Sequence, residues 1–235
     1  MKDISNLTIE RTFLFRQDSI PFAGLLAPGT IERAFQPFRF GVAGTIIQEP
    51  SSGKILELQM ANGSFDVDKE KSLIVGKLDI SERKIHFTIG STFEESEKFF
   101  RAVLDSISGA TQVSMSPGTD ILVSTIQTSC AVTLDFSFET FFSPRFLSFL
   151  QGQAQQLMSI SVADVNVRPF KFSAEVSYAV KDESLHKHKI MVSNKPLVIE
   201  PRVNTPFEEN RFFTSSPCDP ETHFNLLRAL EDSMR

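Results

Sequence analysis

The sequence predicts an α+β protein, a mostly antiparallel β-sheet with two or three helices packed on one face. Three observations lead there. Apolar and polar residues alternate through many short segments, as strands with one buried and one wet face require. Such alternation favours antiparallel pairing, because parallel strands are usually covered on both faces. The apolar spacing then lengthens to that of a helix behind Thr92, Ser143 and Asp219, all residue types that cap helix N-termini.

Taken in order, Leu7, Ile9, Phe13 and Phe15 form the apolar face of a first strand, which Arg11 interrupts. Pro21, Gly24, Pro28, Gly29 and Pro37 mark a loop region with one helical turn near Ile31 to Phe35. Phe38, Phe40, Val42 and Ile46 share a face of a second strand, and Pro50 to Gly53 turns it. Leu56, Leu58 and Met60 lead into Asn62-Gly63, from which Phe65 and Val67 emerge. Asn-Gly suits a two-residue hairpin turn, since both positions need positive φ. Ile74, Leu78 and Ile80 form the next strand, and Ser81 to Arg83 turn it into Ile85, Phe87 and Ile89.

Thr92 and Glu95 have the spacing of a capping box. The stripe Phe93, Phe100, Val103, Leu104 and Ile107 follows, with Gly109 placed to end the helix. Val113 and Met115 suggest a short strand before Pro117-Gly118, and Ile121, Val123 and Thr125 lead to the centre of the chain. There Cys130, Val132, Leu134, Phe136 and Phe138 predict a strand. Ser143 caps a helix with Pro144 at its first position and Phe146, Leu147, Leu150, Ala154, Leu157 and Met158 on one side. Ile160 and Val162, then Phe170 to Val180, resume the alternation after a slip that suggests a bulge. The strand at 85–89 with its helix resembles the strand at 134–138 with its helix. This spacing leaves room for a duplicated strand–helix–strand unit.

Residues 1–193 therefore read as an α+β domain, divisible into halves 1–118 and 119–193. From Asn194 the prolines Pro196, Pro201, Pro206, Pro217 and Pro220 crowd together, and residues 194–235 read as an extended arm. The arm ends in a helix capped by Asp219, with Phe224, Leu227, Leu230 and Met234 along one side. An amphipathic helix on an arm has to dock, either on its own domain or on a neighbouring subunit.

The net charge of −5 and the lack of a basic cluster speak against nucleic acid. No apolar run reaches the roughly 20 residues that cross a membrane, and the first residues lack a signal-peptide layout. These features predict a cytoplasmic chain without membrane contact, in which Asn6-Leu-Thr8 and Asn62-Gly-Ser64 are not glycosylated. Two cysteines form no disulfide framework, and Cys130 reads as a small buried hydrophobe. Phe is used 23 times against one Tyr and no Trp, which favours core packing over sugar or base stacking.

Nucleotide-binding and catalytic signatures are missing, and no cofactor is implied. His186 and His188 can share a strand face and a metal, with Asp182 and Glu183 near in sequence. The plainer reading of that segment is a charged hairpin tip. Asp135 and Glu139 share a polar strand face, where acid–base chemistry competes with simple exposure. The reading that results is a non-catalytic interaction or assembly protein. It self-associates or meets a protein partner and uses the C-terminal helix (Phe224, Leu227, Leu230, Met234) as its docking element. A carrier holding a lipid, pigment or unfolded peptide among the phenylalanines is the first alternative. A metal-dependent enzyme using His186 and His188 is the second.

Overall fold

The long strand β1 (Lys2–Phe15) lies in the interior of a nine-stranded antiparallel sheet, in a computed structural model that describes residues 1–157, 167–177 and 194–234. It pairs on one side with β5 (Lys84–Gly90) and on the other with β6 (Ile121–Thr133). Beyond β5 lie β4 (Ser72–Ile80), β3 (Ile55–Asp66) and, at the edge, β2 (Val42–Gln48). Beyond β6 lie β9 (Arg211–Ser216), β8 (Lys195–Pro201) and β7 (Phe172–Val176). The α+β architecture predicted from the alternation is the one found.

Six helices accompany these strands among the described residues. α1 (Phe22–Leu25) and α2 (Thr30–Phe35) follow β1, and α3 (Phe93–Thr111) follows β5. α4 (Pro117–Asp120) precedes β6, α5 (Pro144–Leu157) follows it, and α6 (Pro220–Ser233) follows β9. Thr92 and Glu95 close the capping box of α3 in both directions. The Asp219 carboxylate accepts from the Thr222 N–H at 3.0 Å and from the Thr222 hydroxyl at 2.7 Å, capping α6.

Two hydrophobic clusters sit under α3 and α6. The larger packs Phe99, Phe100, Val103, Leu104 and Ile107 of α3 onto Ile9, Phe13, Phe87 and Ile89. The smaller packs Leu227 of α6 onto Cys130, Val132, Ile199 and Phe212. The register pairs Ile9 with Thr128 and Phe13 with Ser124, and directly paired residues share a sheet face. α3 and α6 therefore cover the same face. Both clusters are dense in phenylalanine, with Phe138 ringed by Phe141, Phe142, Phe207 and Phe212 at 5.5 to 6.2 Å.

The two halves of the sheet share one plan. Each begins with a long central strand, passes through a helical crossover, returns as a meander and ends in a long helix. The order runs outward from the β1/β6 seam as β1, β5, β4, β3 on one side and β6, β9, β8, β7 on the other. Ile9 pairs with Ile89, three residues before the cap Thr92; Thr128 pairs with Ser216, three residues before the cap Asp219. The repeat is thus real in topology, but it matches β5 and α3 with β9 and α6. The echo read between 85–89 and 134–138 is not its register.

Other local expectations shift. Asn62-Gly63 makes no turn; β3 runs straight through it, paired with β4 on both sides of Asn62. Asn62 does take a positive φ of 56°, but inside the strand, and the chain turns later. There the Asp68 carboxylate accepts from the N–H groups of Glu70 and Lys71 at 2.9 Å each. Gly63 is needed for closeness: a Cβ there would stand 2.5 Å from the Phe40 ring and 2.9 Å from the Phe38 carbonyl oxygen. Gly63→Ala should therefore cost about 2 kcal/mol by overpacking, read from denaturant midpoints; a change below about 0.5 kcal/mol would show that Phe40 gives way freely.

The helix α3 passes through Gly109 and ends at Gln112, whose φ of 58° closes it. Residues 113–115 form no strand. The strand predicted through Phe138 stops at Thr133, and Phe138–Phe141 is a 3-10 turn, yet Leu134, Phe136 and Phe138 are all buried as the alternation requires. Where the prolines suggest an extended arm from 194, the chain adds β8 and β9 to the sheet before α6. Pro196 and Pro201 fall at the two ends of β8, where strands tolerate proline.

Candidate functional site

The seam between the halves carries an open cleft. The N-termini of α3 and α6 approach each other there over the paired residues Arg11 and Ile126. They leave a cleft of about 920 Å³ lined by Arg11, Phe93, Glu94, Ser124, Thr125 and Ile126 on one side and floor, and by the Asp219–Thr222 turn on the other. Its position follows from the repeat, since Thr92-Phe93-Glu94 and Asp219-Pro220-Glu221 are equivalent first turns.

Arg11 is the residue that interrupts the apolar face of β1, and 6% of it is exposed. Its Nη1 donates to Glu97 at 2.5 Å and to Ser96 at 3.4 Å. The guanidinium carbon lies 4.6 Å from the Phe13 ring centre and 5.0 Å from that of Phe93, within cation–π range of both. Nε is buried without a hydrogen-bond partner among the described residues. The rim is acidic, with Glu94 and Glu221 exposed. The Thr222 hydroxyl and backbone N–H hold the Asp219 carboxyl below its ordinary range, so it is ionised at neutral pH. One cation already paired with Glu97 therefore faces three carboxylates.

In the other half a buried polar knot takes the place of Arg11 and Ser96. Cys130 stands opposite Thr214 as Arg11 stands opposite Phe87, and His223 follows its cap by four residues as Ser96 does. His223 is fully buried; Ser216 Oγ lies 2.5 Å from its Nδ1 and Thr214 Oγ1 lies 3.0 Å from its Nε2. Cys130 Sγ is 3.6 Å from the same Nε2. Burial pushes the imidazole down to about 4 and the Cys130 thiol up. A neutral imidazole beside a protonated thiol, both closed off from solvent, holds the helix to the sheet and has no activated nucleophile to offer. Cys130 and Cys218 are free thiols.

The remaining candidates are spread out. His186, His188, Asp182 and Glu183 lie outside the described residues. His86 sits on the opposite sheet face, its Nδ1 3.0 Å from the Thr12 hydroxyl. Among the described residues no three His, Cys, Asp or Glu side chains gather to hold a metal. Asp135 is exposed in a bend after β6 and Glu139 lies in a 3-10 turn, so they share no strand face. Leu227 is buried and Phe224, Leu230 and Met234 pack against the same cluster, so the predicted docking helix docks on its own sheet. Many of the phenylalanines pack in the two clusters, whereas Phe93 lines the cleft and Phe146, Phe149, Phe170 and Phe213 are exposed.

Apolar side chains also remain exposed along the β2 edge of the sheet, which has no strand beyond it among the described residues. Val42, Ile46 and Ile47 of β2 and Leu56 of β3 are all exposed, and β2 carries no charge from end to end. No helix among the described residues is long and apolar enough to cross a membrane. Comparison with known proteins finds no family model that matches the chain and no curated protein with significant sequence similarity.

Proposed function

We propose that this is a non-catalytic interaction and assembly protein that self-associates through the β2 edge. The uncharged character of that strand carries the reading. Exposed edge strands normally bear a charge such as lysine, a proline or a bulge that hinders pairing with a second chain, and of these β2 has only the irregular register at its ends. β2 reads Val-Ala-Gly-Thr-Ile-Ile-Gln; its register against β3 shifts between Val42 and Thr45 and again between Ile47 and Gln48, which leaves Thr45 to Ile47 regular. The opposite described edge, β7, places Glu175 mid-strand and Lys171 just before it. Joining β2 to β7 would make an open chain of subunits, whereas β2 on β2 closes as a two-fold pair. In that pair Ile46 faces its twin and Thr45 faces Ile47, with helices on the same side of the joined sheet, because residues directly opposite must share a face.

Native mass spectrometry and light scattering of the intact protein should show a dimer at roughly 10 μM, as expected for an interface of modest size. Ile46→Lys sets two like charges face to face and should return the monomer. Ile74→Lys, at an exposed position on β4, should leave the dimer intact. A monomeric parent protein, or a dimer indifferent to Ile46→Lys, would overturn the reading.

A further inference from the structure

We infer that the seam cleft is a binding site for a short peptide segment carrying a lysine or arginine, with Arg11 holding one of the segment's backbone carbonyls. This goes beyond self-assembly and does not depend on it. Two independent observations meet in the cleft. The first is a set of unused donors. Arg11 spends only Nη1, on Ser96 and Glu97, and leaves Nε buried and unpartnered among the described residues. Nε has no surface left for a ligand atom to touch, so the donor left for a carbonyl in the cleft is Nη2, which makes no hydrogen bond among the described residues.

The second observation decides what kind of acceptor fits. Glu97 already balances the charge of Arg11, and the lining adds Glu94, Asp219 and Glu221. A phosphate or carboxylate would bring further negative charge beside three carboxylates that already answer the positive ends of α3 and α6. A peptide carbonyl satisfies the guanidinium without adding charge, and a basic side chain on the same segment answers the acidic rim. Phe93 and Ile126 supply apolar surface for the methylene stem of such a side chain. The cleft volume of about 920 Å³ holds several residues rather than one. The site falls on the approximate two-fold of the fold, yet only one half supplies an arginine; the other supplies Cys130 at the equivalent place. The cleft therefore distinguishes the two directions of a bound segment.

Titration calorimetry on the intact protein tests this with a capped hexapeptide of Gly, Ala and Phe around one central Lys. Two matched peptides carry Glu or Leu in place of Lys, and N-acetyl-lysine amide is the single-residue probe. The Lys peptide should bind about tenfold more tightly than the Leu peptide and more tightly still than the Glu peptide. The preference should shrink as salt rises from about 50 to 500 mM. Glu94→Gln with Glu221→Gln, both at exposed positions, should remove most of that preference. Arg11→Lys keeps the charge but loses the planar fork, so it should weaken all three peptides alike and leave their order unchanged. Equal binding of Lys and Glu peptides, an unaffected double Gln variant, or no binding at millimolar peptide would each overturn the inference. N-acetyl-lysine amide binding as tightly as the hexapeptide would overturn the peptide assignment in favour of a single amino-acid unit.

Discussion

Phe99→Ala should remove about 3–5 kcal/mol of folding stability, the range for emptying a fully enclosed aromatic site. Phe99 is 0% exposed and meets Phe38, Phe65 and Phe87 at near-perpendicular angles, with centroid distances of 5.5, 5.5 and 5.0 Å. Those three rings belong to the crossover after β1, to β3 and to β5, so one side chain ties α3 to the crossover and to two strands of the sheet. Neighbours drawn from elements so far apart cannot all close in on the gap, and a cavity that stays open costs the most. Phe149→Ala, on the outer side of α5 and 58% exposed, should change stability by less than about 0.5 kcal/mol. Urea unfolding of the parent and both variants gives the comparison. A Phe99→Ala loss below about 1 kcal/mol would mean that the cluster collapses easily and that its packing is not the main support of this half.

The clusters were legible in the sequence because alternation reports burial whether or not the backbone stays in a strand. Leu134, Phe136 and Phe138 are buried as predicted although β6 ends at Thr133. Helix starts were legible for a related reason: Thr92 with Glu95, and Asp219 with Thr222, make their bonds within one turn. What escaped depends on distant neighbours. The positive φ of Asn62 was foreseen, but Phe38 and Phe40 press on Gly63 from another part of the chain and keep the backbone within β3. Prolines at 196 and 201 suggested an arm because sequence alone does not show that β9 waits beside β8 to pair with it. Arg11 stood out in the sequence as a break in an apolar face. Only the fold shows that the break opens on the seam, beneath Phe93 and beside Glu97.

The same comparison of halves explains where this protein is acid-sensitive. Position for position, Arg11 and Ser96 in one half stand where Cys130 and His223 stand in the other, so the first half keeps a charge at the seam and the second buries a neutral group. Among the described residues the His223 ring meets the hydroxyls of Ser216 and Thr214, the Cys130 sulfur and the Phe224 ring, and burial lowers its proton affinity to about 4 from an ordinary 6.5. The unfolded chain therefore takes up a proton near pH 6.5, which the folded chain refuses until near pH 4. The stability that a neutral His223 contributes is complete above pH 6.5 and is lost as pH falls through the window down to 4, by about 3 kcal/mol in all.

His223→Gln keeps a polar side chain in the knot but cannot titrate. Its stability should be lower than the parent's at pH 7.5 yet flatter between pH 6.5 and 4, so that the two curves converge on the acid side. Carboxylates titrate alike in both proteins, so the difference between the curves isolates the histidine. Parallel curves would show that the imidazole gains its proton in the folded state without penalty, and that water reaches the space between α6 and the sheet. Converging curves would place the acid-labile joint of the molecule at the helix whose N-terminus forms one wall of the seam cleft. Loosening α6 below pH 6 would then open the cleft from the Asp219 side, while α3, tied down by Phe99 and its neighbours, stays in place.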